Sequence, residues 1–264
     1  MDKNNIDSIK LNNESIRDKI KNNDLDGIEN WDVSEVTDMS YLFDNCQYFN
    51  QNIGNWDVSK VADTSDMFSE CYKFNQDIGN WDVSNVTDMK YMFYKCFMFN
   101  QDIGNWKVNK VTNMRGIFYK CFMFNQDIGN WNVSNITDMN CMFYKCLRFN
   151  SYIGNWNVSN VTDMESMFVY CFKFNINIGD WDVSNVTDMN GIFEESNVIE
   201  SRSECYKKII KFDINEKFYL FDDSYEEQED YDYDENNDKC YKWFCELNKP
   251  NLFKHNINLI HCGI

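Results

Sequence analysis

The residues best suited to chemistry lie near the C-terminus. They are the two histidines of the chain and three nearby cysteines: Cys240, Cys245, His255, His261 and Cys262. These residue types bind zinc, but their spacings, CxxxxC and HxxxxxHC, differ from the short knuckles of structural zinc sites. The rest of the chain has no histidine that could serve as the base of a Ser-His-Asp or Cys-His site. We therefore predict a chain that is not an enzyme and that binds no metal or cofactor, with a zinc-dependent regulatory role of this tail as a remote alternative.

A second set of cysteines recurs every 25 residues. The set is Cys46, Cys71, Cys96, Cys121, Cys146 and Cys171. Free cysteine is among the most buried residue types. The chain has 11 cysteines, an odd number, and no export signal, which argues against a secreted disulfide scaffold. The pattern predicts a ladder of reduced thiols in the core, with Cys141, outside the ladder, expected to be exposed.

Carboxylates also recur at this period. They are Asp38, Asp63, Asp88, Asp138, Asp163 and Asp188, and Asn113 takes the remaining place. A column of carboxylates could bind calcium between neighbouring repeats. Because Asn113 interrupts the column, we favour a capping role for each carboxylate at the start of a short helix.

Tryptophan shows that the period covers most of the chain. Seven tryptophans are spaced 25 residues apart without a slip: Trp31, Trp56, Trp81, Trp106, Trp131, Trp156 and Trp181. Asparagines at the same period, such as Asn75 and Asn100, predict side-chain amides that bond one repeat to the next. Strict periods of 20 to 50 residues are typical of stacked supersecondary units.

Each repeat contains two kinds of segment. In the third, residues 74–83 read as an extended segment broken by a glycine. Residues 87–96 have apolar side chains at i, i+3, i+4 and i+7, which is typical of a short helix. The predicted fold is an α/β leucine-rich-repeat-like solenoid of seven 25-residue coils. Each coil has a short extended segment and a short helix, and the extended segments stack as parallel strands.

The repeat also resembles a known family. The run Asn80-Trp81-Asp82-Val83-Ser84-Asn85-Val86-Thr87-Asp88-Met89, followed by Met92-Phe93 and Cys96, resembles the repeat of BspA-type leucine-rich-repeat surface proteins, also known from Mycoplasma lipoproteins. The resemblance covers about residues 28–195. The segment 11–20 is similar to the helix that leads into such arrays. The resemblance implies a leucine-rich-repeat-like solenoid, a role in adhesion or interaction, and no catalytic site.

Three regions follow from this pattern. Residues 1–27 are predicted to form an N-terminal helical cap, and residues 28–195 the seven-coil solenoid. Residues 196–264 are predicted to form a divergent C-terminal cap with an acidic loop at 222–238 and a terminal helical segment.

The net charge and the hydropathy of the chain exclude some classes of partner. The formal net charge of −18 repels nucleic-acid phosphates, so we expect no nucleic-acid partner. The absence of a signal peptide or a long apolar stretch predicts a soluble intracellular monomer that does not insert into membranes. The family resemblance implies the cell surface as the alternative location.

One surface departs from this acidic background. Consecutive repeats place a tyrosine and a lysine at the same two positions: Tyr94 and Lys95, Tyr119 and Lys120, and Tyr144 and Lys145. Stacked, these side chains would form a solvent-facing stripe of aromatic groups beside a stripe of cations, typical of a binding patch. We therefore predict a protein-interaction scaffold that uses one face of the solenoid, with a surface adhesin for host protein or glycan as the alternative.

Overall fold

The computed structural model describes residues 10–196, most of the first of two compact units, Met1–Lys217 and Phe218–Ile264. The predicted acidic loop, the terminal helical segment and the cysteines and histidines of the tail lie outside the described residues.

The described segment begins with helix α1, Asn13–Lys21. The side chain of Asn12 accepts hydrogen bonds from the backbone N–H groups of Glu14 and Ser15, and the Ser15 hydroxyl oxygen accepts one from the Asn12 backbone N–H. Such a capping box satisfies the N–H groups that the first turn leaves unpaired. A short 3₁₀ helix, Ile28–Asn30, follows and leads into the first repeat.

Helix α1 takes the place of a preceding repeat. Inside the array, the carbonyl of Ser65 accepts a hydrogen bond from Tyr41 of the repeat before it (2.9 Å). The corresponding carbonyl in the first repeat belongs to Ser40, and it accepts from the Arg17 guanidinium instead (2.7 Å). Arg17 also lies 3.1 Å from the Asp38 carboxylate. The helix therefore satisfies polar backbone that the stack would leave open at this end.

Consecutive repeats are joined in parallel at one register. Isolated parallel bridges connect residues that are 25 apart: Asp38 to Asp63, Asp63 to Asp88, Asp88 to Asn113, Asn113 to Asp138, Asp138 to Asp163 and Asp163 to Asp188. The neighbouring threonines continue this pairing, since the Thr112 N–H donates to the Thr87 carbonyl (2.9 Å). Each of these residues is therefore paired with its counterpart 25 residues along the chain.

The segment predicted as a short helix forms consecutive turns. The N–H groups of Met89 and Phe93 donate to carbonyls of the next repeat, whereas those of Met92 and Cys96 donate to carbonyls three residues earlier in their own repeat. An α-helix instead directs every N–H to the carbonyl four residues earlier. Because alternate N–H groups bond to the neighbouring repeat, they cannot bond to the carbonyl four residues earlier as an α-helix requires.

Two residues in each of these segments have a left-handed backbone. In the third repeat they are Tyr91 (φ 53°) and Lys95 (φ 57°). A positive φ at the third residue of a four-residue turn is the mark of a type II turn. Residues other than glycine adopt this left-handed conformation at a cost of about 1–2 kcal/mol. The inter-repeat hydrogen bonds donated by the same residues, to Arg115 and Tyr119, offset this cost.

Columns of aromatic side chains run through the core. Phe68 and Phe74 stack within one repeat with ring centroids 4.0 Å apart, and Phe68 and Phe93 stack between repeats at 5.7 Å. From Trp56 onwards, each repeat tryptophan donates its indole N–H to an isoleucine carbonyl of the preceding repeat, as Trp106 does to Ile78 (3.1 Å). All seven repeat tryptophans are buried. These columns therefore bond and pack each repeat to its neighbours.

Glycine is required where one repeat passes close to the next. A β-carbon at Gly54 would lie 2.5 Å from the carbonyl oxygen of Asp77, and one at Gly129 would lie 2.5 Å from that of Tyr152. Any side chain at these positions would push the backbones of consecutive repeats apart.

The carboxylate column caps the start of the turn segments. Each member accepts a hydrogen bond from the N–H group two residues later, as Asp88 does from Lys90 (2.8 Å). Asn113 makes the same contact with Arg115 (3.0 Å), so an amide can replace the carboxylate. The predicted capping is thus seen on a turn rather than on a helix. A second ladder runs through the asparagines, where the Asn100 N–H donates to the side-chain oxygen of Asn75 (2.9 Å).

Candidate binding surface

The tyrosines and lysines of the predicted stripe lie in the turn segments described above. We call the set of Tyr94, Lys95, Tyr119, Lys120, Tyr144 and Lys145 the Tyr–Lys column. Its three lysines all have a left-handed backbone, with φ between 57° and 59°. Because the turns repeat at one register, the structure brings all six side chains together.

The tyrosine rings form a continuous stack. Tyr94 and Tyr119 have centroids 4.8 Å apart and Tyr119 and Tyr144 4.5 Å apart, with interplanar angles of 24° and 2°. Tyr170 ends the stack with its edge towards Tyr144 at 6.1 Å. The ring-to-ring distance is close to the ~4.8 Å between neighbouring strands, so backbone pairing sets the spacing.

Each lysine amino group lies over a tyrosine ring. The distances from Nζ to the ring centroid are 5.0 Å for Lys95 and Tyr94, 5.5 Å for Lys120 and Tyr119, and 5.3 Å for Lys145 and Tyr144. Lys145 also lies 4.9 Å from the ring of Tyr170, so it has two aromatic neighbours. Contacts of this kind stabilise a cation by about 0.5–2 kcal/mol. The column therefore presents three positioned cations.

Lys95 also has a carboxylate partner. Its amino group donates to Glu70 Oε1 at 2.8 Å. Burial lowers the pKa of Lys95, but the hydrogen bond with Glu70 and the neighbouring Tyr94 outweigh it and raise the pKa overall. Burial raises the pKa of Tyr94, and the Lys95 charge offsets part of that rise. Both side chains therefore keep their protons at neutral pH.

The column is less exposed than the sequence predicts. Tyr144 is buried, with 8% of its surface exposed, and Tyr94 and Tyr119 are half-buried. Phe97 and Phe122 beside it are also buried. Stacking explains the difference, since each interior ring is covered by the rings of two neighbouring repeats.

The cationic part of the column has defined ends. The position of Lys95 is occupied by Glu70 in the preceding repeat, and that of Lys145 by Tyr170 in the following one. Neither Glu70 nor Tyr170 was among the predicted site residues, although extending the 25-residue register by one repeat in each direction would have found both. The positive charge therefore covers three consecutive repeats.

The repeat thiols form a separate column. Cys71, Cys96, Cys121, Cys146 and Cys171 are free and buried, whereas Cys46 is half-buried. Each buried thiol donates to a phenylalanine carbonyl of the preceding repeat, as Cys96 does to Phe68 (3.0 Å). Burial raises the pKa of Cys96 and Cys121 well above its ordinary value, so these thiols stay protonated and poorly nucleophilic.

Cys141 is half-buried rather than exposed, which corrects the prediction for this residue. Burial, followed by the negative charge of Glu165, raises its pKa to about 12. It is therefore a thiol, not a thiolate, at neutral pH.

Within residues 10–196, no group of three or more histidine, cysteine, aspartate or glutamate side chains is arranged to hold a metal ion. Over the same residues, no helix combines the length and the apolar character needed to cross a bilayer.

Comparison with known proteins places the repeats in a family. The model of a family described as "Mycoplasma protein of unknown function, DUF285" matches residues 12–128 and, in a second overlapping match, residues 99–206. No curated protein and no solved structure is significantly similar to this chain. The two matches together cover most of the chain, including the Tyr–Lys column. The chain belongs to this Mycoplasma repeat family of unknown function, DUF285.

Proposed function

We propose that this protein is a non-enzymatic interaction scaffold and that the Tyr–Lys column binds an acidic segment of a partner protein. In this proposal the repeats form a solenoid of the leucine-rich-repeat-like, BspA type, and the protein acts as a monomer inside the cell. Parallel pairing at a constant 25-residue offset supports the solenoid.

The observation that carries the proposal is the placement of Lys145 between two rings, 5.3 Å from the centroid of Tyr144 and 4.9 Å from that of Tyr170. A surface lysine normally loses side-chain entropy when it binds a ligand. An amino group already held over aromatic rings has less freedom left to lose. Lys120 and Lys95 each lie over one ring of the same column, those of Tyr119 and Tyr94, so three oriented amino groups face one direction of the array.

The surrounding charge makes the surface selective. The chain has a formal net charge of −18, so an acidic partner is repelled by most of the molecule and attracted at the three lysines. The ends of the column, at Glu70 and Tyr170, limit the contact to three repeats. Three repeats span about 10 Å between the outer lysines. A short acidic peptide segment matches that length.

The state of the thiols supports a role without catalysis. Efficient cysteine nucleophiles have a lowered pKa in a partly exposed, electropositive site. The buried repeat thiols have the opposite environment, since burial raises the pKa of each. They are better suited to packing and to the hydrogen bonds that join the repeats.

Affinity capture with paired variants tests the proposal. Lys95→Gln, Lys120→Gln and Lys145→Gln are combined in one protein, and the exposed residues Lys73, Lys107 and Lys173 are changed to Gln in the control. Each protein is used to capture partners from lysate of the native cell. An acidic segment of a captured protein is then synthesised, and its affinity is measured.

The column variant should bind this segment at least about tenfold more weakly than the control, because several close charge contacts are lost. Wild-type binding should weaken as the salt concentration rises from about 0.05 to 0.5 M. Equal affinity of the column variant and the control would rule out the Tyr–Lys column as the binding surface.

A further inference from the structure

The last repeat of the described segment contains the one Asn-Gly pair of the chain, Asn190-Gly191. An asparagine followed by glycine is prone to lose its side-chain amide to an attack by the glycine backbone nitrogen. Glycine favours this attack because it has no β-carbon to obstruct the approach and leaves the backbone free to rotate. The attack also requires an accessible asparagine side chain and a free backbone N–H group. Whether both conditions are met depends on the position of the pair in the array.

Inside the array, the next repeat holds the backbone N–H group at the position of Gly191. The N–H group of Gly116 donates to the Asn140 carbonyl at 2.8 Å. That of Cys141 donates to the Glu165 carbonyl, also at 2.8 Å. Gly191 has the same left-handed backbone, with φ of 62° against 55° for both Gly116 and Cys141. The three positions therefore share one turn conformation, and the two inside the array are fixed by a neighbouring repeat.

The asparagine side chain before Cys141 is held as well. Asn140 is 2% exposed, and its amide nitrogen donates to Glu165 Oε2 at 2.8 Å. Asn190 is exposed instead. Within residues 10–196, neither its side-chain amide nor the N–H group of Gly191 makes a hydrogen bond. Both reacting groups are therefore accessible in the last described repeat, whereas their counterparts at Asn140 and Cys141 are bonded.

We propose that Asn190 is a site of spontaneous deamidation, with water as the co-reactant. The backbone nitrogen of Gly191 attacks Cγ of Asn190, and the new N–C bond closes a cyclic imide. The bond from Cγ to Nδ2 breaks, and the amide nitrogen leaves as ammonia with the proton of the Gly191 N–H group. Water then adds to either imide carbonyl and opens the ring, which leaves an aspartate or an isoaspartate at position 190.

The products disturb the end of the stack. The backbone of an isoaspartate runs through the former side chain and is longer by one carbon atom, so the carbonyl that accepts from the Ser166 N–H group (2.9 Å) moves out of register. Either product also adds a carboxylate to an acidic surface. Asp188 Oδ1 already accepts from the Asn190 N–H group (3.0 Å), and the Glu194 carboxylate lies beside Gly191. Deamidation therefore weakens the contact between the last two described repeats.

Incubation of the purified protein at neutral pH, followed by peptide mapping with mass spectrometry, tests this site. The variant Cys141→Gly creates a matched Asn-Gly pair at Asn140, inside the array and after the same Asp-Met dipeptide. It should fold, because Gly116 already occupies this position one repeat earlier. In the folded variant, Asn190 should deamidate at least about tenfold faster than Asn140, because two hydrogen bonds protect the interior pair. In urea, which removes the stack, the two sites should react at similar rates.

Gly191→Ala is the control for the chemistry and should slow the reaction at Asn190, because its methyl group obstructs the attack. An unchanged rate would contradict the proposed attack. The deamidation site is overturned if folded wild type keeps the Asn190 amide while the urea-unfolded protein loses it. It is also overturned if folded Cys141→Gly loses both amides equally fast, or if the difference between the two sites persists in urea. These outcomes do not depend on the Tyr–Lys column, so the two proposals can fail separately.

Discussion

The buried thiols should make the fold unstable at alkaline pH. Burial raises the native pKa of five thiols, those of Cys71, Cys96, Cys121, Cys146 and Cys171. In the unfolded chain a cysteine ionises near pH 8.5. Above that pH the unfolded state releases protons that the native state keeps. The free energy of unfolding therefore falls as pH rises and is unaffected by these thiols below about pH 7.5.

The size of the effect follows from the number of thiols. At pH 10, a thiol with an unfolded pKa near 8.5 that remains protonated in the native state lowers stability by about 2 kcal/mol. Five such thiols lower it by about 10 kcal/mol, which is comparable to the whole stability of a typical domain, about 5–15 kcal/mol. We therefore expect the array to unfold between about pH 9 and 10.5.

Urea unfolding at a series of pH values measures this loss. In the triple variant Cys96→Ala, Cys121→Ala and Cys146→Ala, the loss between pH 7 and 10 should shrink by about 6 kcal/mol. The variant is less stable at pH 7, because it lacks three thiol hydrogen bonds, so the comparison is between pH dependences. Cys121→Ala alone should remove about 2 kcal/mol of the loss.

Val108→Ala is the control, since it truncates a buried side chain that does not titrate. It should lower stability by the same amount at every pH. If the wild type, Val108→Ala and the triple cysteine variant lose stability in parallel as pH rises, the thiols are not the cause, and the reasoning from their burial is wrong.

Three further outcomes follow from the stacking of repeats. Trp106→Ala should cost about 3–5 kcal/mol in urea unfolding and more than Trp31→Ala, because unfolding of an end repeat limits the loss at Trp31; equal losses would contradict a one-dimensional stack. Gly104→Ala should cost more than about 2 kcal/mol, since its methyl group would overlap the next repeat's backbone; a melting temperature unchanged from wild type would contradict this. In timed alkylation with mass mapping at neutral pH, Cys46 and Cys141 should react before the five buried thiols, and disulfides between repeats would contradict a reduced ladder.

The sequence alone determines much of what holds the repeats together. The spacing of Trp106 and its counterparts predicts that consecutive repeats align at an offset of 25 residues. In the structure, every repeat tryptophan from Trp56 onwards donates an indole hydrogen bond to the preceding repeat. The cysteines and asparagines share that period, so their columns also follow from the spacing. A residue type that recurs at a constant offset must meet the same neighbours in each repeat. Periodicity therefore predicts contacts between repeats without any knowledge of the local backbone.

Local backbone and exposure depend on the tertiary structure. The apolar spacing of Met89, Met92, Phe93 and Cys96 suits both a helix and the turns that the structure contains. The choice depends on whether an N–H group bonds within its own repeat or to the next one, and the pattern of side chains does not specify that partner.

The exposure of tyrosine side chains is decided in the same way. Tyr144 is buried because its neighbours in the column stack on it, whereas Tyr152 is exposed because its ring lies over Gly154, on the outside of its own repeat. The two tyrosines lie in consecutive repeats, and the residue type alone does not distinguish their exposure. Only the stacked array shows which ring is covered by neighbouring side chains and which is exposed to solvent.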